Sequence, residues 1–487
     1  MSEWKKVKIG DICKIVKGTT GIASAEPGQY PLVVTAEERK TCSTYQFDCE
    51  AVCIPLVSSS GHGKKSLKNV HYQSGKFALG TILCAVIPNN PQELDARYLH
   101  QYLQFYKDII LVPLMKGAAN VSLSMKDIAT VEFPLPPIER QRELSNLFVS
   151  LQEKQKELSA EYEKQTDYAK QLRQNILQQA IEGKLTADWR NQNPVQKGNP
   201  DYDAEALFEQ IQKGEVSPSL PSQVAPRIVP ASSADSLRFV GLSATPSPRG
   251  KAPKTPDNSR EFFKEKLDSE RKRTNSARSK SLAPITDEEK PFEIPKGWKW
   301  VRLGNVSRIN GGYSFKSTEY TEKGIRVIRI SDFNENGFVN SKIVRYKDSD
   351  AIKPYHLEEK NILMALTGGT VGKSFFVSSL DETMAVNQRV ATIKIDNIRP
   401  EYVNILVKSL TAQKIIQEAK HSSNDNISLP DLTEMPFSLP PLKEQEEIVN
   451  KVETLLAKVT TLEKQIQDRK SLSDKLIFGI IKENLEG

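Results

Sequence analysis

The sequence predicts an α+β protein: two head domains of mixed and antiparallel β-structure with helices, joined by two long antiparallel coiled-coil helices in a pseudo-twofold arrangement. Three observations predict it. First, one frame is written twice. Trp4-Lys5-Lys6-Val7-Lys8-Ile9-Gly10 returns as Trp298-Lys299-Trp300-Val301-Arg302-Leu303-Gly304, Asn120-Val121-Ser122-Leu123 as Asn426-Ile427-Ser428-Leu429, and Leu135-Pro136-Pro137-Ile138-Glu139-Arg140-Gln141 as Leu439-Pro440-Pro441-Leu442-Lys443-Glu444-Gln445. A period of roughly 300 residues marks a duplicated domain rather than a solenoid unit. Second, each Pro-Pro is followed by apolar residues at alternating steps of four and three, the seam of a coiled coil. Third, the stretches between the frame motifs read as short strands and turns that differ between the copies.

Taken in order, residues 1–137 form the first head, with β-rich runs at 30–35, 51–57, 80–86 and 131–135 and a helix at 95–105. Residues 138–190 are the first long helix and its extension. Pro137 stands just before it, where a missing amide hydrogen costs nothing; Glu139 falls at the positive end of the macrodipole, and Gly183 is placed as a C-terminal cap. The seam is Leu144, Phe148, Leu151, Gln155, Leu158, Tyr162, Gln165, Ala169, Leu172 and Ile176. Residues 191–292, rich in Pro, Ser, Ala, Lys and Arg, cannot bury enough apolar surface to order themselves and read as a flexible, largely disordered linker. Within it, 203–213 could form a short helix and 264–280 is a basic run. Residues 293–441 form the second head, with β-rich runs at 325–330, 361–366, 373–377 and 389–395 and a helix at 401–418. Residues 442–487 are the second long helix, with the seam Ile448, Val452, Leu455, Val459, Leu462, Ile466, Arg469, Ser473, Leu476 and Ile480, every member 304 positions after its counterpart. A register kept without insertion is expected if the two stripes pack on each other. Each helix, of about 40 residues, would be roughly 60 Å long.

With 487 residues the chain suits two domains plus connecting elements. A net charge of +7 permits a nucleic-acid partner without demanding one. The five cysteines form no Cys-x-x-Cys pair, which argues against a disulfide framework or a zinc site and for a reducing cytoplasm. No signal-like leader or membrane-spanning run is visible, so a cytoplasmic location is expected.

No catalytic signature is visible. Gly368-Gly369-Thr370-Val371-Gly372-Lys373-Ser374 approaches a phosphate loop, but Thr367 stands where the first glycine is required. Methyltransferase and nuclease signatures are missing, and His62 and His71 read as solvent or phosphate contacts rather than half of a metal site. What the loops do contain is small, basic and amide side chains: Ser59, Ser60, His62, Lys64, Lys65 and Lys68 in the first head; Arg326, Arg329, Ser331, Asn334, Thr367, Thr370 and Lys373 in the second, with Asn387, Gln388 and Arg389. Small residues let a backbone approach phosphates, lysine and arginine neutralise them, and amides and guanidinium groups pair with base edges. Taken singly, each cluster is an ordinary surface loop more often than a binding site.

The duplicated order of Trp-led strand, variable head, Leu-Pro-Pro-x-x-x-Gln, long helix and Gly183-Lys184-Leu185-Thr186-Ala187-Asp188-Trp189-Arg190 resembles the specificity subunits of type I restriction-modification enzymes, the HsdS family. The likeness covers both halves but not the linker, which is long for this family. It implies that each head is a target recognition domain reading one half of a bipartite double-stranded DNA target. It also implies that the paired helices set the spacer and dock two methyltransferase subunits, through Leu144, Phe148, Leu151, Leu158, Tyr162, Leu172, Ile448, Val452, Leu455, Val459, Leu462 and Ile466, with restriction/translocase subunits attached in turn. The subunit itself would have no enzymatic activity and no cofactor, S-adenosylmethionine, ATP and magnesium belonging to the partners. Two other readings stay open: a stand-alone regulator that binds bipartite DNA, and a coiled-coil adaptor whose heads bind protein.

Overall fold

A computed structural model describes residues 4–60, 63–118, 120–215, 282–420 and 425–486. The chain divides into two compact units, 1–167 with 463–487, and 168–462.

In the first unit the two ends of the frame meet. Strand β1 (Lys6–Lys8) leads into a short helix α1 (Ile9–Ile12) and β2 (Cys13–Lys17); then come β3 (Tyr30–Val33), β4 (Lys40–Cys42), β5 (Phe47–Asp48), β6 (Ala51–Pro55), β7 (His71–Gln73), β8 (Lys76–Leu79), β9 (Leu83–Pro88), α2 (Ala96–Ile110), α3 (Met125–Ala129) and β10 (Glu132–Pro134). β1 pairs antiparallel with β10, setting Val7 opposite Phe133. One sheet runs β2-β9-β6-β7, all antiparallel; the other runs β4-β3-β8-β5, mixed because β3 lies parallel to β8. Ile9, Tyr98, Leu99, Phe133, Leu144 and Phe148 share one core, so the first turns of the long helix are part of the head.

The Pro-Pro-x-x-x-Gln motif has a physical reason. Gln141 is fully buried; its Oε1 accepts from the Asp95 amide at 2.8 Å, and its Nε2 donates to the carbonyls of Glu93 at 2.9 Å and Pro136 at 2.8 Å. Tyr98 adds a hydroxyl bond to the Pro134 carbonyl at 2.9 Å. One buried amide thus ties the start of α2 to the start of the long helix. Gln141→Ala is expected to lower the thermal-denaturation stability by roughly 2–3 kcal/mol, because buried polar groups lose their partners. The exposed Gln152→Ala, in the same helix, should stay within about 0.5 kcal/mol; equal effects would refute the clamp.

The second unit repeats the frame and the four-stranded antiparallel sheet, while its mixed sheet has three strands instead of four. Its strands are β11 (Lys299–Arg302), β12 (Ser307–Gly311), β13 (Ile325–Ile328), β14 (Phe333–Asn334), β15 (Gly337–Phe338), β16 (Arg345–Tyr346), β17 (Ile362–Ala365), β18 (Ser374–Phe376), β19 (Met384–Val386), β20 (Val390–Ile395) and β21 (Pro436–Leu439). β11 pairs with β21 as β1 does with β10, the antiparallel sheet runs β12-β20-β17-β18, and β13 lies parallel to β19. Gln445 repeats the clamp, accepting from the Arg399 amide at 3.0 Å and donating to the Pro440 carbonyl at 2.8 Å, while the Tyr402 hydroxyl reaches the Ser438 carbonyl at 2.8 Å.

The long helices are α4 (Ile138–Ile181) and, after α5 (Ala187–Gln192), α6 (Ala204–Lys213), α7 (Leu303–Val306), α8 (Pro400–Lys408), α9 (Leu410–Glu418) and α10 (Leu429–Glu434), the final α11 (Leu442–Glu486). They run antiparallel within each unit. In the first, Arg140 bonds Asn484 and Gln155 bonds Asp474; in the second, Arg173 bonds Thr460. Leu144, Phe148, Ile448, Val452, Val459 and Ile466 are buried, and Leu151, Leu158, Tyr162 and Leu455 half-buried, as the seam requires. Leu172 and Leu462 correct it: they are 45% and 41% exposed, as is Leu476 at 62%. Leu172 and Leu462 each lie between seam members that stay buried, Ala169 and Ile176 on α4 and Val459 and Ile466 on α11; toward the helix ends Leu177, Ala180, Ile181, Ile477 and Leu485 are buried as well.

The expected linker, 191–292, is corrected at both ends. The Trp189 and Tyr202 rings stack 6.2 Å apart, α6 buries Ala204, Leu207 and Ile211, and the Pro200 and Asp201 carbonyls accept from the Leu442 and Lys443 amides at 3.2 Å. Those amides belong to the first turn of α11 and have no partner inside their own helix. From the other end, the Ala283 carbonyl and the Glu289 carboxylate hold Arg302. Residues 216–281, with the basic run, lie outside the described residues.

The Thr186/Arg190 motif is explained by one carboxylate. Glu444 is 1% exposed; Oε1 accepts from the Thr186 hydroxyl at 2.7 Å and from Arg190, and Oε2 from the Trp298 indole at 2.7 Å. Arg190 also donates to the Gly183 carbonyl at 2.7 Å. The start of α5, the leading Trp of the second frame and the first turn of α11 thus converge on a single buried charge.

Candidate nucleic-acid interface

The segment before α3 and before α10 straps the same loop in both heads, at the offset of 304 that sets Ser122 with Asn426 and Leu123 with Ile427, two residues away from the Asn-x-Ser-Leu match. In the first, the Leu123 amide donates to the Leu56 carbonyl at 2.9 Å and the Ser58 amide to Val121 at 3.0 Å, holding the β6–β7 loop. In the second, the Ile427 amide donates to Leu366 and the Gly368 amide to Asp425, both at 3.0 Å, holding the β17–β18 loop. Behind each loop stands a helix. On α2, His100 and Gln104 hold the main chain of Val70; on α9, Gln413 and Gln417 donate to the Gly372 and Val371 carbonyls at 3.1 Å. These supporting side chains were not singled out in the sequence, although each pair has the i, i+4 spacing of one helix face.

Hydroxyls build the first loop. Ser58 Oγ donates to the Lys64 carbonyl at 2.5 Å and accepts from the Ser60 and Ser66 amides; Ser59 Oγ accepts from the Lys68 amide at 3.0 Å; the Ser60 and Ser66 hydroxyls meet at 2.7 Å. Leu67 anchors the loop in the core. Lys64, Lys65 and Lys68 are exposed and make no ion pair with the described residues. His62 lies outside the described residues. His71 is not a phosphate contact: it is 5% exposed with Nδ1 3.2 Å from Arg39, and burial first, then the charge of Arg39, lowers its pKa to about 4 and keeps it neutral.

In the second head, three segments join into one rim. The Asn387 amide donates to the Ile328 carbonyl at 2.9 Å, the Leu366 amide to Arg389 at 3.0 Å, and the Lys373 ammonium to the Ile330 carbonyl. Ser331, Asn334, Thr370, Gln388 and Arg389 are exposed, with Thr367 and Asn387 half-buried beside them. Three basic candidates are spent inside the head. Arg326, 4% exposed, donates to the Val339 carbonyl at 3.0 Å and lies over Phe338. Arg329 forks onto Asp332 at 2.7 and 2.8 Å, and that hydrogen-bonded carboxylate raises its pKa. Lys373 sits 4.7 Å from the Phe333 ring centroid, and burial lowers its pKa. Sequence shows such charges but not where the fold buries them. Among the described residues no group of acidic, His and Cys side chains could hold a metal ion. No described helix is long and apolar enough to cross a membrane.

A head built twice on one frame, presenting the same strapped loop with different side chains, defines a two-headed recognition protein. The chain belongs to the family described as type I restriction modification DNA specificity domain, whose profile matches residues 1–165 and 295–469, well over half of its length. It is 32% identical over 187 residues to the specificity subunit of the type I restriction enzyme EcoAI of Escherichia coli, an alignment covering 37% of this chain and 32% of that relative; the chain thus spans about a third of that relative's length. It is 21% identical to the EcoDI specificity subunit of Escherichia coli over 100% of this chain and 88% of the relative. The fold is similar to a solved chain of a type I restriction-modification system, with TM-score 0.61 at 14% identity, covering 100% of this chain and 98% of that one.

Proposed function

We propose that this chain is the non-catalytic DNA sequence-specificity subunit of a type I restriction-modification complex. Each head, 1–137 and 293–441, reads one half of a bipartite duplex target. The helices, 138–190 and 442–487, set the spacer and dock two methyltransferase subunits, to which restriction/translocase subunits attach; S-adenosylmethionine, ATP and magnesium belong to those partners. The observation that carries the reading is the pair of equivalent loops, strapped alike and filled differently. One frame that offers two side-chain sets suits two unlike half-sites. On the helices, the exposed Tyr168, Leu172 and Leu462 of the second unit, and Leu472 and Leu476 of the first, supply apolar side chains for docking.

Single-molecule methylome sequencing of the host tests it. A split adenine-methylated motif should be present and disappear when this chain is deleted. An unchanged methylome would overturn the proposal and leave a regulator of bipartite sites in its place.

A further inference from the structure

We propose that the equivalent loops of the two heads do opposite jobs on DNA: Lys64, Lys65 and Lys68, in the described part of the β6–β7 loop, grip phosphates, whereas the 366–373 loop is part of a base-reading rim that Lys373 holds in place from within. The inference rests on the reading of both heads as DNA-binding.

The difference lies in what each loop is built from. Serine hydroxyls close the first loop, so none of its cations is needed for its shape. Lys64, Lys65 and Lys68 are left exposed and without ion pairs among the described residues. An exposed ammonium on a loop whose main chain is fixed by hydroxyls is a phosphate contact in waiting; it neutralises charge without reading sequence.

The second loop inverts this use of charge. Its own cation, Lys373, is turned inward onto the Ile330 carbonyl and the Phe333 ring, which bolts the β17–β18 loop to the β13–β14 turn. Arg329, forked onto Asp332, fixes the other side of that turn. Outward the rim offers Ser331, Asn334, Thr370 and Gln388, with the Arg389 guanidinium beside them. At its tip Gly368 has φ +70, and a Cβ on Gly368 or Gly369 would meet nothing within 4 Å, so the backbone is open to close approach. Hydroxyls, amides and one guanidinium are the groups that pair with base edges in the major groove. Lys373 is therefore a positioning residue and not a phosphate contact.

Salt dependence separates the two jobs. With the full-length chain and a fluorescein-labelled random-sequence duplex, the slope of log K against log salt should fall in magnitude by about two to three in a Lys64→Ala, Lys65→Ala, Lys68→Ala triple variant, each phosphate contact contributing about 0.9. Lys373→Gln, which keeps a donor for the Ile330 carbonyl but loses the charge, should leave the slope unchanged. In the host, Lys373→Met should relax one half of the methylated motif, and Lys373→Gln should largely restore it. A slope lowered by about one in Lys373→Gln, or an unchanged slope in the triple variant, overturns the division of roles. Wild-type chain that shows no salt-sensitive association with duplex would overturn the DNA-binding reading itself, a distinct outcome. Melting curves of Lys373→Gln and of the triple variant should match wild type; a folded Lys373→Gln that loses slope counts against the proposal.

Discussion

Exchanging residues 19–117 for the matching region of a relative with a different target should rewrite one half of the methylated motif and leave the other half untouched. The physical ground is that two of the first head's core clusters lie inside the exchanged span, while a third joins that span to Ile9, Phe133, Leu144 and Phe148 outside it. Val33, Phe47, Ala51, Phe77, Leu79, Leu83 and Ala85 form one cluster, and Leu32, Val34, Cys42 and Ala78 another, both inside the exchanged span. They travel with the graft. The strap, Asn120-Val121-Ser122-Leu123, and the clamp at Gln141 remain behind and seat whatever arrives. Two glycines set the condition for success. A Cβ on Gly18 would come within 2.2 Å of the Gly80 carbonyl, so the incoming strand must pass Gly18 as the native one does. Gly117, with φ +121, must arrive as glycine. Methylome sequencing reads the outcome, and a change in both halves would defeat the assignment of one head to one half-site.

Arg190→Ala should be the most destabilising single substitution named here, costing about 3 kcal/mol. Removing one partner of a buried ion pair strands the other charge, and such losses run to roughly 3–5 kcal/mol. The lower end applies because Arg190 is 20% exposed and Glu444 keeps its bonds from Thr186 and Trp298. Glu444→Gln should cost less, about 1–2 kcal/mol: it removes the buried charge itself, an amide oxygen can still accept, and Arg190 can turn toward water. Urea denaturation of both variants gives the order. If Glu444→Gln proved the more damaging, the carboxylate would not be the costly partner of the pair.

The frame was legible because its signals are local or periodic. Pro-Pro before a seam, a glycine after it and a constant offset of 304 state two helices and their register directly. The parallel pairings of β3 with β8 and β13 with β19 were not legible, because they join segments separated by whole hairpins and no local pattern names the partner. The exposure of Leu172 and Leu462 was not legible, because the four-three spacing that places them runs on through buried neighbours on both sides, Ala169 and Ile176, Val459 and Ile466. In the site, the loops themselves were found, but Arg326, Arg329 and Lys373 were read as outward cations. The carbonyl partners of Arg326 and Lys373, Val339 and Ile330, lie 13 and 43 residues away and only folding brings them within reach, whereas Arg329 forks onto Asp332 three residues on, a local pair that the sequence did offer. The order of the near linker end was missed for a related reason: local turns around Asn199 are completed by the Leu442 and Lys443 amides of α11, whose partners on Pro200 and Asp201 lie far away in sequence.

The Gln141 and Gln445 clamps hold only main-chain atoms: the Asp95 and Arg399 amides and the Glu93, Pro136 and Pro440 carbonyls. A fastening that grips backbone is blind to the side chains it carries. Mutation can therefore rewrite a head's surface without loosening its socket. On this view the molecule evolves as a chuck evolves tools: a fixed grip, and bits that wear, swap and diversify independently of it.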